Sequence, residues 1–266
     1  MLVALSWLLP TAAHATHLRA GDIQAKVDTT PTHNPNRIFF KLTLYRDPNS
    51  QADTPVATMY FGDGTSATSP RSANVRISPV VTICTYFFDH TYPGASTWTA
   101  SIFESNRVGN VVNIPGSVNQ TFALSTTFQI RPGLGLNHSP VLKAPAIDQA
   151  ASGKPYVHNP AAFDADGDSL GFRLIPSQQV LAPLPTPATY TPTLIPCSGF
   201  TYANNPAFGI AGNPLLNPPL TVAFNGVLAG LPSQLFIDRN GLITWNVPAK
   251  LGEYNIAFIV EQSGVH

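Results

Sequence analysis

Ile38-Phe39-Phe40-Lys41-Leu42-Thr43-Leu44-Tyr45, closed by Asp47-Pro48-Asn49-Ser50, is the stretch that decides the fold. The run has a period of two, with Phe39 and Phe40 at its start, which is the period of a strand. The Asp-Pro-Asn-Ser cluster that follows is a turn. Downstream, Thr58-Met59-Tyr60-Phe61 leads into the tight turn Gly62-Asp63-Gly64. Val80 to Phe88 and Thr97 to Phe103 read as further strands, separated by Tyr92-Pro93-Gly94, and Phe122 to Ile130 reads as a closing strand. Strands at this spacing with Gly and Pro punctuation predict an antiparallel sandwich over residues 16–132.

Arg131 to Pro140, RPGLGLNHSP, has two Pro, two Gly and no periodicity, so residues 133–140 are expected to be a linker. Gly133-Leu134-Gly135 is not a dinucleotide motif, because the third glycine and a following helix pattern are missing. The strand pattern resumes over residues 141–266. Gly171 to Ile175, Leu235 to Ile237, Leu242 to Trp245 and Tyr254 to Val260 are the candidates. Between them, about 176–232, lies a long Pro-, Asn- and Gly-rich insertion. It reads as an ordered but irregular loop, or else as a place of ligand contact. The expectation is an all-β chain of two tandem antiparallel sandwiches.

Composition agrees. The 266 residues suffice for two ordinary domains. Charged residues make up 11%, against roughly 25% in a typical soluble domain. Long amphipathic helices need many charged or long polar residues on their wet face. Thr, Ser, Asn, Val, Ile, Phe and Tyr suit strands and turns instead. The 26 prolines raise the question of disorder, and the 44% hydrophobic share argues against it. Lys and Arg number 14, as do Asp and Glu, so no net charge draws the chain to nucleic acid or anionic lipid.

Leu2 to Leu9, LVALSWLL, is an apolar run of signal-peptide length, and Ala13-His14-Ala15 supplies small residues for cleavage after Ala15. Residues 1–15 are therefore expected to be a signal peptide that directs the chain out of the cell; the competing reading is a buried first element. No Lys or Arg precedes the run, which a start codon further upstream would explain. No later segment is long and apolar enough for a membrane span. Cys84 and Cys197 form no CxxC pair. They fall in separate sandwiches, which favours two unpaired thiols over a disulfide.

Two sets of motifs resemble known families. Tyr60-Phe61-Gly62-Asp63-Gly64, then Asp89-His90-Thr91-Tyr92-Pro93-Gly94, then Trp98-Thr99-Ala100-Ser101-Ile102 resembles the polycystic-kidney-disease (PKD) type domain. That family pairs an FGDG turn with a later HTY-x-x-G-x-Y strand entry; Trp98 stands where it usually has Tyr or another aromatic. The resemblance implies an immunoglobulin-like sandwich used outside the cell for adhesion, spacing or glycan contact. Asp164-Ala165-Asp166-Gly167-Asp168-Ser169-Leu170, with Asp238 to Trp245 and Gly252-Glu253-Tyr254-Asn255-Ile256, resembles a bacterial cadherin-like or dystroglycan-type sandwich. Asn137-His138-Ser139-Pro140-Val141 is similar to the linker entry of cadherin-like repeats. The combination is similar to large surface proteins of gliding, polymer-degrading Bacteroidetes-type bacteria. Those usually end in a sorting domain, so a chain ending at His266 is expected to be a fragment.

Asp164, Asp166 and Asp168 place three carboxylates within one short turn. Unpaired, they repel one another, and Ca²⁺ relieves such repulsion because it takes several oxygen ligands in a flexible loop. Gly167 lets the backbone bend. The loop is not an EF-hand, since Ser169 and Ile175 stand where Gly and Glu are needed. Asn137 adds an oxygen if the site lies at the junction, as in the cadherin-like repeats. The competing reading is a solvated acidic turn. Asp63 is expected to bond backbone inside its own turn, with His90 packing or capping beside it.

No HExxH, GxSxG or Walker sequence occurs, and the seven His show no zinc spacing. Glu104, Glu253 and Glu261 are the only glutamates, and nothing pairs them with an Asp as a glycosidase requires. Trp98 and Trp245 either form a sugar-stacking platform or lie in the cores, the latter being favoured. The sequence therefore predicts a non-catalytic secreted or cell-surface adhesion or spacer module whose partner is an extracellular protein or polysaccharide. The alternative is the accessory part of an exported polymer-degrading enzyme.

Overall fold

The computed structural model describes residues 18–105, 107–131, 133, 137–180, 191–208, 233–246, 248 and 250–263. The expected signal peptide, and residues 181–190 and 209–232 of the insertion, lie outside them. Regular structure among the described residues is strand, apart from single 3-10 turns at Ser117–Asn119 and Pro206–Phe208.

The first half contains β1 (Leu18–Val27), β2 (Arg37–Arg46), β3 (Val56–Tyr60), β4 (Ser66–Pro70), β5 (Ala73–Ser78), β6 (Val81–Thr91), β7 (Ser96–Glu104) and β8 (Phe122–Ile130). They form two four-stranded antiparallel sheets, ordered β1-β2-β6-β5 and β4-β3-β7-β8. Alternation sends Ile38, Phe40, Leu42 and Leu44 of β2 inward beside Cys84, Tyr86 and Phe88 of β6. Met59, Ala100, Ile102 and Phe122 meet them from the other sheet, making one core. Phe40 stands edge-on to Phe128 of the opposite sheet, ring centroids 5.6 Å apart. Truncating so central a ring to Ala costs about 3–5 kcal/mol.

The predicted strand over residues 38–45 is β2, and Phe122–Ile130 is β8 to the residue. β1 escaped notice because its apolar residues are small or scattered: Gly21, Ile23, Ala25 and Val27 alternate with Asp22, Gln24 and Lys26. β4 and β5 are short and largely exposed, so they lack an apolar face to read.

The second half is built of shorter pieces: β9 (Val141–Leu142), β10 (Tyr156–His158), β11 (Ala162–Phe163), β12 (Ser169–Ile175), β13 (Gln178–Gln179), β14 (Ile195–Pro196), β15 (Leu235–Ile237), β16 (Ile243–Trp245) and β17 (Ala257–Ser263). They pair antiparallel as β10-β16-β15, β11-β9, β12-β17 and β13-β14. Strand β17 begins three residues later than the sequence suggests, because Glu253 to Asn255 bond to the first half instead.

Candidate functional site

The Gly62-Asp63-Gly64 turn is held from both sides. Gly62 has φ +83, and a Cβ there would run into the Thr99 carbonyl oxygen, so glycine is required. Asp63 Oδ1 accepts from Thr65 N at 3.0 Å and from Thr65 Oγ1 at 2.6 Å, as the sequence reading expected of this side chain. Asp63 Oδ2 stands 2.6 Å from His90 Nε2. The His90 ring lies flat on Phe61, with centroids 4.1 Å apart. Burial raises the Asp63 pKa, but the hydrogen bonds from Thr65 and His90 outweigh it and hold the carboxyl below its usual range. Both residues serve the turn.

The acidic turn at the junction is ordered by its own carboxylates. Asp164 is buried, and its Oδ1 accepts from Asp166 N at 2.9 Å and Asp168 N at 3.1 Å. Asp166 turns to the linker: Oδ2 accepts from His138 N at 2.6 Å, and Oδ1 lies 2.9 Å from His138 Nδ1. With its amide oriented to satisfy both ends, Gln262 donates to Asp164 Oδ2 at 3.1 Å and to the His138 carbonyl at 2.8 Å, and accepts from Asn137 Nδ2. Asn137, Asp164 and Asp166 thus gather around Gln262 and His138. Among the described residues, no group of three or more His, Cys, Asp or Glu stands where all could hold one metal ion. The expected linker is tied to β1 as well: Ser139 N donates to the Ala25 carbonyl at 2.8 Å, and Ala25 N donates to Ser139 Oγ at 2.7 Å.

A further polar constellation was not singled out in the sequence. It is the joint formed by residues 107–121, the connection from β7 to β8, against the second half. Asn113 donates to the Asn255 carbonyl at 2.8 Å and accepts from Asn255 N at 2.9 Å. Gln120 does the same with Ser198, at 3.1 and 2.8 Å. Thr121 Oγ1 donates to the Val180 carbonyl at 3.0 Å and accepts from Val180 N at 2.7 Å. Each of these side chains therefore satisfies both backbone groups of one partner residue, as a neighbouring strand would. Arg107, 2% exposed, donates to the Thr121 carbonyl at 3.0 Å and the Gln178 carbonyl at 2.6 Å. Burial lowers its pKa, and its guanidinium lies 5.3 Å over the Phe122 ring. Gly252, at φ +144, leaves room for Val112, whose N donates to the Glu253 carbonyl at 2.8 Å. Val111, Ile114 and Cys197 form a small apolar cluster across the same joint. A connection running from Glu104 to Phe122 is long for a hairpin, and that length was the available signal.

Beside the joint opens a cleft of 1650 Å³. Every residue of β8 and every residue of β17 lines it, whereas β12 contributes only Arg173 and Ile175 and β2 only Ile38 and Tyr45. Asp22 also faces the cleft. Burial raises its pKa to about 6, against opposing contributions from Gln24, Lys41 and Thr43. Glu104 shares the inward parity of Ala100 and Ile102 at the end of β7, opposite Phe122. Burial alone raises the pKa of its carboxyl to about 7.

Cys84 lies in the first core and Cys197 in the joint; both are free thiols, as the sequence favoured. Trp98 packs against the first core, with Nε1 donating to the Gly94 carbonyl at 3.2 Å. Trp245 is buried and donates to Ser233 Oγ at 3.0 Å. Neither forms an exposed platform. No family model matches the chain, and no curated protein or solved structure matches it.

Proposed function

We propose that this chain is a non-catalytic module pair that works outside the cell, as a spacer or binding element, and that both halves are immunoglobulin-like sandwiches. The observation that carries this reading is the joint. A spacer transmits position only if its modules cannot swivel, and here Asn113, Gln120, Thr121 and Arg107 bond residues of the second half directly. Each such bond contributes about 0.5–1.5 kcal/mol, and more where the donor is charged. The apolar, small-residue start of the chain supports export. The extracellular partner is a protein or polysaccharide.

Calcium belongs to the same reading as a stiffener of the junction. Asp164, Asp166, Asp168 and Asn137 supply the hard oxygen donors that Ca²⁺ prefers. An ion there competes with His138 for Asp166. The function is tested by incubating the protein with a panel of insoluble polysaccharides and immobilised extracellular proteins, measuring both retention and released sugar or peptide. Retention without release is expected. Release of soluble product that depends on this chain overturns the reading.

A further inference from the structure

We propose that the cleft beside the joint accepts an extended segment of another polypeptide, which adds as a strand to the free edges of β8 and β17. The proposal rests on the reading of the chain as a binding module and names its partner class. Among the described residues, strand β8 pairs only with β7, and β17 only with β12. Among the described residues, neither makes a further backbone hydrogen bond. Both strands line one cleft along their whole length, which sets their unpaired edges beside the same space.

The third edge there, β1, is already met at its ends. The Leu18 carbonyl accepts from Val108 N at 2.8 Å, and the Ala25 carbonyl accepts from Ser139 N at 2.8 Å. At its start β8 is covered too, where Thr121 meets Val180. Leu124 to Ile130 remain, seven residues that line the cleft together with the seven of β17.

Exposed edges are normally defended by Lys, Pro or a bulge. Strand β8, FALSTTFQI, has no charge and no Pro, and β17, AFIVEQS, has a single charge, Glu261. Their pairings with β7 and β12 run without a register shift. Edges left open and undefended inside a cleft match a ligand whose own backbone supplies donors and acceptors at strand spacing. That ligand is a peptide; a polysaccharide has no such ladder, and the two tryptophans suited to stacking sugars are occupied in packing. In strand addition, main-chain bonds supply the affinity and alternate side chains the specificity.

The test uses the full chain and a soluble decapeptide of alternating Val and Thr with terminal Lys residues. Its twin has alternate backbone nitrogens methylated. Amide exchange is followed by NMR with each peptide at millimolar concentration. The first peptide is expected to slow exchange at least tenfold at alternate amides of both Leu124–Ile130 and Ala257–Ser263, and the twin to leave them unchanged.

Four results overturn the proposal: no slowing with either peptide, equal slowing with both, the edge amides of the monomeric free chain already protected, or protection that rises with protein concentration alone. The third result means pairing within the chain, and the fourth pairing with a second copy. Retention on a polysaccharide without any of this protection overturns the strand-addition mode and leaves the binding function standing.

Discussion

Replacing Glu104 by Gln removes a charge from the end of the first core while keeping the side chain's shape. The folded-state pKa of Glu104 is raised from 4.5 to about 7 by burial. A carboxyl shifted upward is held more tightly as the neutral acid in the folded state than in the unfolded one. The folded state then binds more protons, so stability falls as pH rises through the window between the two values. Below pH 4.5 the group costs nothing; above about 7 the cost is complete. Integrating the linkage relation gives about 1 kcal/mol at pH 5 and about 3 kcal/mol at pH 7. The Gln variant carries no such dependence.

The assay is urea unfolding of both proteins at pH 5, 6, 7 and 8. Asp22, raised from 3.8 to about 6, adds a slope of the same sign at lower pH, but in both proteins. The difference between the two therefore isolates Glu104. Glu104→Gln is expected to be the more stable chain at pH 7 by about 2–3 kcal/mol, the margin shrinking to about 1 at pH 5. Curves separated by the same amount at every pH, or a less stable variant at pH 7, refute the assignment of Glu104 as a desolvated carboxyl.

Three further outcomes are expected. Arg107→Leu leaves the Thr121 and Gln178 carbonyls without their donor inside the joint; it should lower stability by about 2–4 kcal/mol in urea unfolding and speed amide exchange at residues 177–180. Gly62→Ala forces a side chain into φ +83 against the Thr99 carbonyl, and a loss of about 2–4 kcal/mol is expected by thermal unfolding. Millimolar Ca²⁺ should raise the melting temperature relative to chelator, and Asp166→Ala should abolish the rise; identical melting curves with calcium and chelator rule the ion out.

The strands with a full apolar face were legible. Ile38 to Tyr45 and Phe122 to Ile130 each bury one parity of side chains in a common core, and burial writes period two into sequence. Strand β1 carried the same alternation with Gly, Ala, one Ile and one Val, too weak to separate from loop. The candidate site was legible in part. Proximity in sequence put Asp164, Asp166 and Asp168 in one turn, and the linker entry pointed to Asn137, whose amide meets Gln262. His138 as the partner of Asp166 depends on a contact 28 residues away, and no local pattern encodes it.

The joint was invisible for a deeper reason. Asn113, Gln120 and Thr121 bond backbone groups, and every residue type except Pro offers the same N–H and C=O. Their partners Asn255, Ser198 and Val180 share no side-chain chemistry that a reader could match to them. A buried set of polar residues spanning two halves of a chain invites an active-site reading. For these three side chains the hydrogen bonds decide otherwise: each has a donor and an acceptor committed to the backbone C=O and N–H of one residue of the opposite half. A group so engaged can bind substrate only by breaking the joint, so mutating it should change stability before it changes any activity. That ordering of effects is what separates a structural polar cluster from a chemical one.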